Sequence, residues 1–188
     1  MNEQYQYWKD TVCTQISRDP VFLNVLEKFN DSKINVLEIG CARDLNMQAR
    51  FGDGWSSLFW ADYIYKKGGE LTSCDIDNHA VENVKKMLDF YDGKIDMKIS
   101  VEDGLNLLKV KNDYNLIYLD GSDCPHQMIE QMSYCDLSKS YVLCDDFNQK
   151  GILLPEKYPN FILYKIKGTN HQMALFHNTI SSLQEIIV

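Results

Sequence analysis

The chain has 188 residues, 45% apolar and 24% charged, which is the balance of a globular domain large enough for one full hydrophobic core. Its net charge of -8 argues against unaided binding to a nucleic-acid backbone or an anionic membrane, both of which call for clustered Lys and Arg. A small or neutral molecule is the expected partner. No apolar run reaches the ~18 residues of a membrane span. The polar start, Met1 to Gln6, lacks the basic and apolar segments of a signal peptide, so a cytoplasmic location is expected. Six cysteines are scattered without a C-x-x-C pair, and buried reduced thiols are the expected state.

In chain order, Trp8, Val12 and Ile16 recur at helical spacing. Asp19-Pro20 then predicts an N-cap followed by proline at the first helical position, with Val21, Phe22, Val25, Leu26 and Phe29 as the buried stripe. Residues 1–33 are thus expected as a helical segment packed on a core domain of residues 34–188. From Ile34 the pattern alternates. Ile34 to Ile39 predicts a strand ended by Gly40, and Ser56 to Lys67 a well-buried helix stopped by Gly68-Gly69. Leu71 to Cys74 predicts a second strand, with Asp77 capping the helix that carries Ala80, Val81, Val84 and Leu88. Ile95 to Ile99, Tyr114 to Leu119 and Tyr141 to Cys144 predict three further strands, separated by a short helix and by one that Pro125 opens. Phe161 to Ile166 and Met173 to His177 read as a hairpin about Gly168-Thr169-Asn170, so one edge strand is expected to run antiparallel. The fold class is therefore α/β: a doubly wound, mostly parallel, seven-stranded sheet closed by a C-terminal antiparallel hairpin.

Val36-Leu37-Glu38-Ile39-Gly40-Cys41-Ala42 resembles the first motif of the class I S-adenosylmethionine-dependent methyltransferases. There a glycine turn brings backbone close to the cofactor at the carboxyl ends of the strands. The resemblance implies that Glu38 orients this loop or meets the cofactor's ammonium group. It also implies that Asp75, ending the second strand, accepts the ribose hydroxyls. Asp103 resembles the residue that faces the adenine amino group; capping its own helix is the alternative reading. Ala42 stands where the motif has its second glycine. The stretch from Arg43 to Trp55 reads as an insertion of about ten residues, of the length at which loops become functional. Arg43, Asp44 and Arg50 there are candidates for substrate contacts or for local ion pairs. A nicotinamide dehydrogenase fits poorly, because Ala42 and Leu45 break its glycine fingerprint and Asp75 lies well beyond the ~20-residue spacing of its acid.

Asp120 ends the fourth strand, and Asp145-Asp146 follow the fifth. Three converging carboxylates repel unless something positive lies between them, and a hard divalent cation is the expected occupant. The pattern resembles the cation-dependent small-molecule and sugar O-methyltransferases. That resemblance implies Mg²⁺ or Mn²⁺ on Asp120, Asp145 and Asp146, with Asp120 also among the cofactor-side residues. Strand-end aspartates can instead cap the next helix. Asp123 stands where catechol methyltransferases carry a lysine base, which leaves His126 as the candidate base. His79, His171 and His177 show no ligand spacing. The expected activity is S-adenosylmethionine-dependent O-methylation of a small-molecule or saccharide hydroxyl, with homodimerisation open. The alternatives are a nucleic-acid or protein methyltransferase, although Asp120-Gly121-Ser122-Asp123 lacks the N/D-P-P-Y/F motif, and a non-catalytic module of the same fold.

Overall fold

The structure is a computed structural model that describes residues 18–46, 55–110, 113–122 and 124–188. The helix predicted around Trp8 and the residues Arg50 and Asp123 lie outside the described residues. Helix α1 spans Asp19–Glu27 and strand β1 Ile34–Ile39. Helix α2 (Ser56–Lys67) leads to β2 (Gly69–Asp75), and α3 (Asn78–Met87) to β3 (Asp96–Val101). Next come α4 (Gly104–Val110), β4 (Leu116–Leu119), α5 (Pro125–Ser133) and β5 (Tyr141–Cys144). A short α6 (Leu154–Lys157) precedes β6 (Ile162–Lys165), β7 (Gln172–Phe176) and β8 (Gln184–Ile187).

The strands form one sheet in the order β3-β2-β1-β4-β5-β7-β6-β8. The first five run parallel, and β7 is antiparallel to both β5 and β6. Two expectations are corrected. The antiparallel strand lies inside the sheet, and an eighth strand, parallel to β6, extends it. β8 carries little signal in the sequence because it is four residues long, pairs with a single neighbour and opens on the exposed Gln184 and Glu185, which leaves Ile186 and Ile187 as its apolar pair.

Strand residues alternate between two cores, as a pleated strand buried on both faces requires. Val36, Leu71, Leu116, Tyr118 and Leu143 point to the face covered by α1, α2 and α3. Leu37, Ile39, Ile117, Leu119, Val142 and Cys144 point to the face covered by α4, α5 and α6. Phe22 of α1 meets Trp60 and Tyr118 edge-on, at ring-centroid distances of 4.8 and 5.7 Å. α1 begins one residue earlier than its sequence suggests. Arg18 holds the cap position without a side-chain cap bond, and Asp19 and Pro20 fill the first two helical positions.

Asp77 does cap α3, its Oδ1 accepting from the His79 amide at 2.8 Å. Asp77→Ala is expected to cost about 1 kcal/mol of stability. Urea denaturation of the variant measures this, and an unchanged midpoint would mean the cap carries no weight. No described helix is long and apolar enough to cross a membrane.

Candidate functional site

Parallel strands present their carboxyl ends at one edge, and loops leaving neighbouring strands in opposite directions open a crevice there. Between β1 and β4 that crevice is floored by glycine. Gly40 has φ +99°, and a Cβ on it would lie 2.6 Å from the Gly121 amide nitrogen. Both the backbone angle and the close approach of the two turns therefore demand glycine.

Asp75 ties the neighbouring turn into place. Its Oδ2 accepts from the Cys41 amide at 2.8 Å, and its Oδ1 from the Asp77 amide at 2.9 Å. Each oxygen keeps a second lone pair for a ligand. Asp103 Oδ1 accepts from the Leu105 amide at 2.9 Å, so it caps α4 while lining the same depression. That depression, about 30 Å³, is bounded by Gly40, Asp75, Ile76, Asp103, Gly121 and Gln131. It is the floor of a site rather than a chamber. Ile76 is 75% exposed at its edge. One buried polar atom of its lining, Gln131 Oε1, lacks a hydrogen-bond partner within the protein, as does Ser122 Oγ beside Gly121 in the chain. Orphaned buried polar atoms are uncommon, and a water, an ion or a ligand can complete their bonding. A larger groove of about 570 Å³ lies between α1 and α2, lined by Leu23, Leu26, Phe59 and Tyr63, and shares no lining residue with this depression.

Glu38 is placed differently from a loop-side ligand. It is fully buried, and its two oxygens accept from Ser56, Ser57 and Ser73 hydroxyls, each at 2.5 Å. Burial raises its pKa above the usual carboxyl range, against the opposing pull of the three hydroxyls. The side chain thus pins β1 to the start of α2 and to β2, and braces the Gly40 turn from beneath. Of the inserted loop, Arg43 and Asp44 are exposed, and their carbonyls accept from Asn83 and from the Trp55 indole.

Asp120, Asp145 and Asp146 do converge, around three cationic side chains that no sequence motif marks. Lys150 Nζ donates to the Asp120 carbonyl and to its Oδ1, both at 3.0 Å, and lies 3.3 Å from Asp146 Oδ2. Arg18 Nε lies 2.9 Å from Asp145 Oδ2, which also accepts from the Tyr118 hydroxyl at 2.8 Å. His171 Nε2 meets Asp145 Oδ1 at 2.7 Å, and its Nδ1 meets Asp146 Oδ1 at 3.1 Å. Asp146 adopts a left-handed backbone, φ 46°, an observed strain of the kind that clusters at functional sites.

The electrostatics follow from this wiring. Burial alone would raise Asp145, but Arg18 and His171 outweigh it and hold Asp145 below the usual carboxylate range. Burial and the neighbouring Asp145 charge push Asp120 up to about 7 in spite of Lys150. Burial would lower His171, yet its two carboxylate bonds bring it to about 9, so it is an imidazolium at neutral pH. His126 stands exposed on the first turn of α5; the side chains bonded to the three aspartates are Arg18, Tyr118, Lys150 and His171.

The donor set can be weighed against the needs of a hard divalent cation. Asp145, Asp146 and His171 each offer one ligand atom, all within 4.8 Å of one another. The atoms are already committed, however. Asp145 is fully buried and accepts four bonds, from Arg18, Tyr118, His171 and the Asp146 amide. Both nitrogens of His171 face carboxylates as donors, which leaves no lone pair for a metal. Lys150 sits between Asp120 and Asp146, where an ion would bridge them. The set does not fit a divalent ion unless these cations leave.

The fold is that of the class I methyltransferases. A protein described as an rRNA methylase, from Clostridium thermocellum, superposes with a TM-score of 0.58 at 13% identity, over 82% of this chain and 96% of its own. A protein described as an O-methyltransferase, from Klebsiella pneumoniae, gives a TM-score of 0.58 at 15% identity, over 87% of this chain and 81% of its own. Monomeric WbdD gives 0.57 at 15% identity, matching 92% of this chain but 44% of that larger protein. No family model and no curated sequence matches the chain.

Proposed function

We propose that this chain is an S-adenosylmethionine-dependent methyltransferase acting on a hydroxyl of a small molecule or saccharide. The observation that carries the cofactor is the depression at the ends of β1, β2 and β4, where a glycine floor meets the Asp75 carboxylate and the unpartnered Gln131 Oε1. In this reading the open lone pairs of Asp75 accept the ribose hydroxyls. Gln131 Oε1 and Asp103 take the adenine amino group, and Ile76 offers its ring an apolar edge. When bound, the cofactor would supply a sulfonium methyl; an acceptor oxygen would attack that methyl in line as the C–S bond breaks to release the neutral thioether, and the hydroxyl proton would pass to a carboxylate of the strand-end cluster or to water. The protein's part is then mainly to position the acceptor and exclude water.

The acceptor side is the Asp120–Lys150–Asp146–His171 cluster. These four side chains are each between 19% and 26% exposed, so they form a polar wall rather than a sealed core. Carboxylate oxygens in such a wall can accept bonds from acceptor hydroxyls and fix which one faces the methyl. The net charge of -8 disfavours a nucleic-acid acceptor.

Isothermal titration with S-adenosylmethionine is expected to give a micromolar dissociation constant, about -8 kcal/mol. Asp75→Asn, which keeps one acceptor oxygen, is expected to weaken binding by ~10- to 100-fold, as losing a charged acceptor does. No binding by the folded wild type at millimolar cofactor would remove the reading. Unchanged affinity in Asp75→Asn would remove the assignment of the ribose.

A further inference from the structure

We propose that Lys150, supported by Arg18 and His171, is the built-in cation of this site, so that the chain needs no divalent ion there and becomes a metal binder when Lys150 is removed. The inference rests on the reading of this strand edge as the ligand end, but not on methyl transfer. Lys150 Nζ contacts three oxygens, at 3.0, 3.0 and 3.3 Å, drawn from the ends of both β4 and β5. An ammonium has three N–H donors. Two of them donate to Asp120 and the third contact is the ion pair with Asp146, which puts the ammonium in the bridging position that a small cation would take between two strand ends.

Sequence position explains how the lysine arrives. Asp146 and Lys150 are four residues apart in a turn closed by the Lys150 amide donating to the Asp146 carbonyl at 2.8 Å. That spacing stacks the ammonium over the Asp146 carboxylate and brings it to Asp120. The Arg18 guanidinium does the same for Asp145 from the start of α1. Its Nε lies 2.9 Å from Asp145 Oδ2 and 3.3 Å from His171 Nε2, so the guanidinium and the imidazole crowd the same carboxylate. Three carboxyl groups therefore face three cationic groups, and an added divalent ion would bring two charges to a cluster already compensated. Deleting Lys150 alone frees Asp120 Oδ1 and Asp146 Oδ2 while His171 stays on Asp146 Oδ1, and two freed carboxylate oxygens are the donor chemistry of Mg²⁺ or Mn²⁺.

The experiment is a melting series of the wild type, Lys150→Met and Lys150→Gln in EDTA, Mg²⁺, Mn²⁺ and Ca²⁺. Expected is a wild type whose melting temperature moves by less than about 1 °C between EDTA and ~5 mM Mg²⁺ or Mn²⁺, as follows where nothing binds. Lys150→Met is expected to melt several degrees lower in EDTA and to recover most of that loss in Mn²⁺. Lys150→Gln, which keeps two N–H donors without charge, reports the same effect if the methionine variant does not fold. Mn²⁺ paramagnetic resonance on the wild type adds a direct readout: the free-ion signal should persist. Stabilisation of the wild type by divalent ions equal to that of the variants would overturn the proposal. So would folded variants indifferent to every ion. Cofactor titration of the same wild-type sample is read separately, so a failure to bind S-adenosylmethionine leaves the test of Lys150 intact.

Discussion

Glu38→Ala is expected to lower stability by about 4 kcal/mol or more, a large share of the roughly 5–15 kcal/mol that holds a typical domain together. The reason is in the partners. Ser56, Ser57 and Ser73 are all buried, and each hydroxyl donates to Glu38. Removing the carboxyl leaves the Ser56 and Ser57 hydroxyls without an acceptor, at roughly 1–3 kcal/mol each, leaves Ser73 with only the Cys41 sulfur at 3.3 Å, and adds a cavity. Glu38→Gln keeps the volume and one acceptor oxygen, and hydroxyls can rotate to accept from its amide. Its expected cost at neutral pH is about 1–2 kcal/mol. The pH dependence has a definite sign. The Glu38 pKa is raised in the folded state, so ionisation disfavours the fold, and wild-type stability declines as pH rises through that raised value. Glutamine carries no such charge, so the deficit of Glu38→Gln should shrink as pH rises. Urea denaturation of the three proteins between about pH 5 and 8 measures both effects. If Glu38→Ala proves as stable as Glu38→Gln, the serine cage carries no weight.

Much of this is legible in the sequence, and the rest is hidden for physical reasons. Apolar runs such as Ile34 to Ile39 and Tyr141 to Cys144 announce strands buried on both faces, and Gly40 announces a turn, because those signals are local. Asp77 as a cap is local too. The three hydroxyls on Glu38 come from two other elements, so no motif around Glu38 could show them. His171 has no ligand spacing to mark it. Topology offers the missing signal: an antiparallel strand beside β5 must begin where β5 ends, and the turn before β7 therefore lies at the ligand edge. The Phe147 amide bonding to the Gln172 carbonyl at 2.8 Å marks that meeting. Arg18 and Lys150 carry no signature of their own. Three converging aspartates do announce a need for positive charge. An ion is one way to meet it, but here the chain supplies the charge from α1, from the turn after β5 and from the β6–β7 turn.

Arg18→Met should expose the strength of that internal supply. Arg18 is 7% exposed and Asp145 fully buried, so the substitution leaves a buried carboxylate short of its main partner. Breaking one side of a buried pair costs about 3–5 kcal/mol, most of it the penalty of the charge left behind. His171 and Tyr118 remain on Asp145, which places the expected loss near the lower end, about 3 kcal/mol at pH 7. Asp145 has a folded pKa below its unfolded one. Its contribution is thus present above the unfolded value near about 4 and fades as pH falls. His171 has the opposite sense: raised to about 9, its contribution is complete below about 6.5 and is lost as pH climbs through 9. The wild type should therefore lose part of this support at both ends of the range. In Arg18→Met the acid limb changes most. Without the guanidinium, burial pushes Asp145 upward, protonation relieves the stranded charge, and the gap to wild type should narrow as pH falls from about 7 toward 4. Chemical denaturation at about pH 4, 5.5, 7 and 9 follows the gap directly. A difference that stays constant across the acid limb would mean that Arg18 stabilises by packing its methylenes against α1 and the sheet, and that the charge on Asp145 is held by His171 alone.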